Sequence, residues 1–134
     1  MKFHISTTRY HWNLVVFLCV EPKEFDDVIA ALRDLGASEE ILERVWSNLE
    51  RGNKNEGFTF SAPLKKSSVM MISETTSAAE TMNTIVHEIR HLTDDIAQCY
   101  HIALTGEKVA YLAGETAKKI FEQCNFLFCD HCRR

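Results

Sequence analysis

The sequence predicts an α+β fold with a small, mainly antiparallel sheet packed against helices. Three observations predict it. Two runs rich in β-branched and aromatic residues, KFHISTT (2–8) and WNLVVFLCV (12–20), open the chain. Two shorter extended runs, FTFS (58–61) and SVMMIS (68–73), follow in the middle. Around them, apolar residues recur at helical spacing. With 134 residues, the chain suits a single domain, residues 1–134, around one core.

The first two runs, separated by Arg9-Tyr10-His11, read as a hairpin. The second is almost continuously apolar and therefore reads as a central strand. Glu21-Pro22 opens a helix, because proline is tolerated in a first turn. Phe25, Val28, Ile29, Leu32 and Leu35 make its apolar stripe, and Gly36 ends it. Ser38 can cap a second helix carrying Ile41, Leu42, Val45, Trp46 and Leu49, which stops at Gly52. Asn53 to Gly57 is a polar turn into the two short strands, which Pro63 and Lys65-Lys66 divide. A third helix is expected from about Thr76 to Tyr100, with Met82, Ile85, Val86, Ile89, Leu92 and Ile96 as its stripe. Thr105 can cap a last helix reaching Cys124. Trp12 and Trp46 are expected in the core, Cys19 and Cys99 as small buried residues, and His4 and His11 in structural or surface positions.

The net charge of −4 argues against a nucleic-acid-binding surface. No apolar run approaches the roughly 20 residues of a membrane span, and LVVFLCV (14–20) reads as a buried strand rather than a signal peptide. The odd count of five cysteines is no disulfide framework, which points to a reducing, cytoplasmic setting.

Within the third helix lies TIVHEIRHLTDD (84–95). His87-Glu88-Ile89-Arg90-His91 fits H-E-x-x-H. Four residues make slightly more than one turn, so both imidazoles leave one helix face and can meet one zinc at ~2.0–2.1 Å. Glu88, about 100° round the helix, is displaced from the ligand position but close enough to act as general base towards a water. The apolar residues of the stripe place the histidines beside a core, where an unpaired ring is costly.

A catalytic zinc needs a third protein ligand and an open position. Asp94 and Asp95 lie one turn on along the same rigid helix, His101 is nearly three turns away, and Ala97 stands where a metzincin would place its further ligand. The ligand is therefore expected from the last helix, where Glu107 and Glu115 share a face at a separation of ~12 Å. Geometry alone leaves both open. Asp94, Asp95 and Thr84 are candidates to support the histidines from behind.

The combination of H-E-x-x-H with Glu107-Lys108-Val109-Ala110-Tyr111 resembles the gluzincins, whose glutamate ligand often begins an E-x-x-A pattern. The longer string EKVAYLAG (107–114) is similar to small metallopeptidases of phages and bacterial mobile elements. The resemblance spans about residues 68 to 120. It implies a zincin-like fold, with an active-site helix and a ligand-bearing C-terminal helix. The implied catalytic zinc is held by His87, His91 and Glu107, and Glu88 is the implied catalytic base. It further implies that the strand SVMMIS borders the cleft and pairs with an extended peptide.

CNFLFCDHC (124–132) gathers Cys124, Cys129, His131 and Cys132, a possible second zinc site; the other reading is a tail in which Phe126 and Phe128 cover the core. The expected function is zinc-dependent hydrolysis of a peptide or protein substrate, without nucleic-acid or membrane partners. The rivals are a non-catalytic metal-binding or interaction module that keeps the fold, and hydrolysis of a non-peptide amide.

Overall fold

A computed structural model describes residues 1–133. Strands β1 (Lys2–Ser6) and β2 (Asn13–Leu18) form the opening hairpin. A 3-10 turn at Pro22–Glu24 leads into α1 (Phe25–Asp34), and α2 (Glu39–Arg51) follows. Strands β3 (Gly57–Ala62) and β4 (Ser67–Ile72) precede the two long helices, α3 (Ala78–Cys99) and α4 (Glu107–Cys124). The local chemistry explains most boundaries. Ser38 accepts a hydrogen bond from the Ile41 amide at 3.3 Å, and Gly52 ends α2 with φ 64°, a left-handed conformation glycine adopts without strain. Ser77 caps α3 by accepting from the Glu80 amide at 3.1 Å. At α4 it is Gly106, not Thr105, that holds the cap position, with no side-chain bond.

The sheet order is β1-β2-β4-β3. Both outer pairings are antiparallel, and the central β2–β4 pairing is parallel. The chain is thus α+β with a four-stranded mixed sheet, antiparallel in two of its three pairings. β2 is interior, as its apolar run predicts. β4 is interior too, which corrects its expected place beside an incoming peptide: both its edges are already paired, and the free edge near α3 belongs to β3.

Helices cover both faces of the sheet. Val28, Leu32, Leu42 and Val45 of α1 and α2 pack on Phe17, Val69 and Met71. On the other face, Ile85, Ile89, Leu92 and Ile96 of α3 join Leu112 and Ile120 of α4 over Leu14, Val16, Met70 and Ile72. α3 packs against β3 and α4 against β1, so the two helices lie over opposite edges of the sheet. Trp12 is fully buried, and its indole N–H donates to Ser68 Oγ at 2.9 Å. Ser68 and Ser61 hydroxyls are 2.7 Å apart, and Ser61 donates to Asp95 at 2.6 Å. This chain of hydroxyls ties the hairpin through β4 and β3 to α3.

Several stripe residues fall outside the core. Met82 and Val86 are half exposed, on the flank of the α3 stripe whose Ile85, Ile89, Leu92 and Ile96 face the core. Trp46 lies on the surface, edge-on to Phe25. Of the cysteines, Cys124 is the buried one, while Cys19 and Cys99 are half-buried. His4 and His11 are exposed. No helix among the described residues is long and apolar enough to cross a membrane.

Candidate metal centre

Consecutive residues of α3 face three different environments. Glu88 points at the sheet, where it is 3 % exposed. Each step along an α-helix turns about 100°. Ile89 therefore swings one way, into the apolar core, and His87 swings the other way, past the free edge of β3. His91, one turn on, follows His87. Both rings are exposed, against the expectation that they lie beside the core; it is the glutamate between them that is buried.

The two histidine Nε2 atoms lie 3.1 Å apart. Tetrahedral zinc with two Zn–N bonds of ~2.0–2.1 Å sets its nitrogens about 3.3 Å apart, so the pair has the spacing of two metal ligands. Without a metal, the same distance suits an N–H···N hydrogen bond between the rings. Glu88 Oε2 is 3.9 Å from His87 Nε2. Its Oε1 accepts a hydrogen bond of 2.7 Å from the Thr59 hydroxyl on β3. Gly57, two residues earlier on the strand, makes this possible: a Cβ there would stand 2.6 Å from Glu88 Cγ. Thr59 and Gly57 are site residues that motif reading missed. The signal for them was a glycine and a threonine two apart on one strand, facing one side of the sheet.

Among the described residues, His87, Glu88 and His91 are the one group of three or more whose ligand atoms lie within 4.8 Å of one another. Glu107 does not join it. It sits exposed as the first residue of α4 and is not among the groups gathered at the two histidines. Glu115 is engaged elsewhere. It accepts from the Thr8 amide (2.9 Å) and hydroxyl (2.7 Å) and pairs with Lys119 at 3.2 Å. These contacts, led by the Thr8 amide, hold its carboxyl below the ordinary range.

The proposed supports are also placed. Asp94 pairs with Arg90 at 3.0 Å, and Asp95 accepts from Ser61. The Thr84 hydroxyl is buried without a partner. None of the three supports a histidine ring.

Two open cavities lie along the seam between β3 and α3. One, of about 290 Å³, is bounded by Asn55, Gly57, Asn83, Thr84, His87 and Glu88. The other, of about 370 Å³, lies further along, against Ser61, Pro63, Asp95 and Gln98. Together the two cavities make an interrupted groove along the β3–α3 seam, bordered at one end by His87 and Glu88.

Cys124 is fully buried and donates to the Ile120 carbonyl at 3.2 Å, and burial pushes its thiol up to about 11. Cys129 and Cys132 lie on the surface, away from the buried Cys124, and among the described residues no group of three or more ligand atoms forms at 124–132. Leu127 and Phe128 cover the core there, while Phe126 is exposed.

No family model, curated protein or solved structure matches this chain.

Proposed function

We propose that this protein is a zinc-dependent hydrolase of peptide bonds, with His87 and His91 as metal ligands and Glu88 as the proton-transfer group. One observation carries the reading. Two imidazole nitrogens converge at ligand spacing beside a buried carboxylate whose second oxygen is free, at the unpaired edge of a strand.

A zinc ion bound there would supply Lewis-acid polarisation of a carbonyl and acidify a water. The chain's own residues do the rest. Thr59 fixes Oε1 of Glu88 and so aims Oε2 toward the histidines. Oε2 takes the proton of the attacking water and returns it to the leaving amine. The β3 edge offers unpaired backbone groups, to which an extended peptide adds as a further strand, laying its carbonyls along the groove. The resemblance to zincins supports this assignment, with β3 in the place expected for SVMMIS.

A second reading has an observation in its favour. Among the described residues, no acidic group from another element completes the ligand set, which suits a module that binds metal without turnover. Purification without immobilised metal, followed by zinc analysis, separates these readings. About one zinc per chain is expected, lost in His87→Ala. Glu88→Gln should keep the zinc and lose peptide hydrolysis by roughly 10²- to 10⁴-fold. Zinc retention with no wild-type turnover on a peptide library would establish the module instead. Glu107→Ala should leave zinc affinity unchanged with α4 placed as it is; a strong loss would mean that α4 brings this carboxylate to the metal.

A further inference from the structure

The segment after α4 is a strap across the start of α3. After a 3-10 turn (Asn125–Phe128), the chain closes a further turn in which the Arg133 amide donates to the Cys129 carbonyl at 3.1 Å. Asp130 Oδ1 accepts from the amide of Ala78, the first residue of α3, at 2.7 Å. Arg133 enters a socket formed by Thr75 and Thr81, both buried. Its Nη1 donates to their hydroxyls at 2.9 and 2.6 Å and to the Leu127 carbonyl at 3.2 Å, and its Nη2 donates to the Thr75 carbonyl. Two side chains of one five-residue turn therefore hold the N-terminus of the helix that carries the histidines.

Cys129 and Cys132 belong to that turn, and both are exposed. Residues three apart in a turn have Cα atoms within about 7 Å, which overlaps the ~4.4–6.8 Å window of a disulfide. Hydrogen bonding within the turn, led by the Cys132 amide, holds the Cys129 thiol below its ordinary range. The Cys132 thiol, which donates to it, is held above. The two sulfurs thus have the attacking and resolving characters of a reactive pair. Cys124, buried in the core, takes no part.

We propose that Cys129 and Cys132 form a dithiol that reacts reversibly with small-molecule disulfides of the glutathione class, and that closing their disulfide fastens the strap on the N-terminus of α3. The Cys129 thiolate attacks one sulfur of the small disulfide, forming a mixed disulfide and expelling one small thiolate. Cys132 loses its proton to solvent and attacks the Cys129 sulfur, expelling the second. Two protein thiols are oxidised, and one small disulfide is reduced to two thiols. Closure removes freedom from the turn that presents Asp130 and Arg133, so their hold on Ala78, Thr75 and Thr81 tightens.

The full chain, reduced and stripped of metal with a chelator, is treated with oxidised glutathione and analysed by mass spectrometry. Wild type should lose the mass of two hydrogen atoms, carry no adduct, and recover with dithiothreitol. Cys132→Ser should trap glutathione on Cys129. Cys129→Ser should label Cys132 about tenfold more slowly. Hydrogen exchange of the first turn of α3 should slow in the oxidised wild type, with the middle of α4 unchanged. A stable adduct on wild-type Cys129 without an internal disulfide would overturn the pairing. Unchanged exchange at Ala78–Thr81 after oxidation would overturn the coupling to α3.

Discussion

Glu88 and Glu115 each accept a threonine hydroxyl at 2.7 Å, one from Thr59 on β3 and one from Thr8 in the β1–β2 turn. The likeness ends there. Glu115 also accepts the Thr8 amide and faces Lys119, so its charge is shared among three donors at the rim of the protein. Glu88 is buried, its hydroxyl partner reaches only one oxygen, and the nearest ring nitrogen stands 3.9 Å from the other. Burying a carboxylate with so few partners costs stability. The Glu115 clasp is what a fold builds to hold a helix down. The Glu88 clasp orients one oxygen and leaves the other without a donor beside the histidines, and that difference is what supports the proposed site on α3.

Gly57→Ala should break the Glu88 side of the comparison most severely. The new methyl would stand 2.6 Å from Glu88 Cγ and 2.8 Å from Oε2, and Glu88 could withdraw only by giving up its bond from Thr59. The expected cost is about 2–3 kcal/mol, toward the upper end for overpacked sites, read as a lower urea midpoint, with peptide hydrolysis lost as Glu88 turns away. A variant of unchanged stability would show that the carboxylate is free to move and that its orientation is not imposed by β3.

Thr59→Val keeps the shape and removes the donor. It leaves one buried carboxylate oxygen unpaired, at a cost of about 1–2 kcal/mol. Zinc binding should persist, because neither histidine touches Thr59, while kcat falls with KM little changed. Thr59→Ser, which restores the hydroxyl, should recover most of the rate. Equal losses of kcat in the valine and serine variants would refute an orienting role for the hydroxyl.

These predictions concern a part of the molecule that was only half legible in the sequence. Periodicity and capping residues marked all four helices and four strands, because those signals are local: Ser38 and Gly52 bracket α2 almost to the residue. Which strands pair is a non-local matter, so SVMMIS could be read as a strand but not as an interior one. The motif identified His87, Glu88 and His91 by spacing, yet spacing does not say which of the three faces the core. A pattern that does say so is present. Thr84, Glu88 and Asp95 recur at helical spacing, and Thr59 and Ser61 alternate on β3, so two polar rows face each other across the seam. The position of Glu107 depends on the side of α3 against which α4 packs, and no residue near Glu107 encodes that.

The gentlest test lies on the Glu115 side. Its carboxyl titrates below the ordinary 4.5 because the folded state supplies the Thr8 and Lys119 donors. A folded-state pKa depressed in this way stabilises the protein above the unfolded pKa, and the contribution fades as pH falls through the folded value. The stability difference between wild type and Glu115→Gln should therefore be largest near neutrality and shrink as pH falls below the unfolded 4.5 and through the lower folded-state value. Zinc content and turnover should be the same in both proteins at neutral pH, since Glu115 is spent on the β1–β2 turn. A Glu115→Gln variant that loses zinc would dissolve the contrast between the two glutamates, because the clasp at Thr8 would then be holding a metal ligand in reserve.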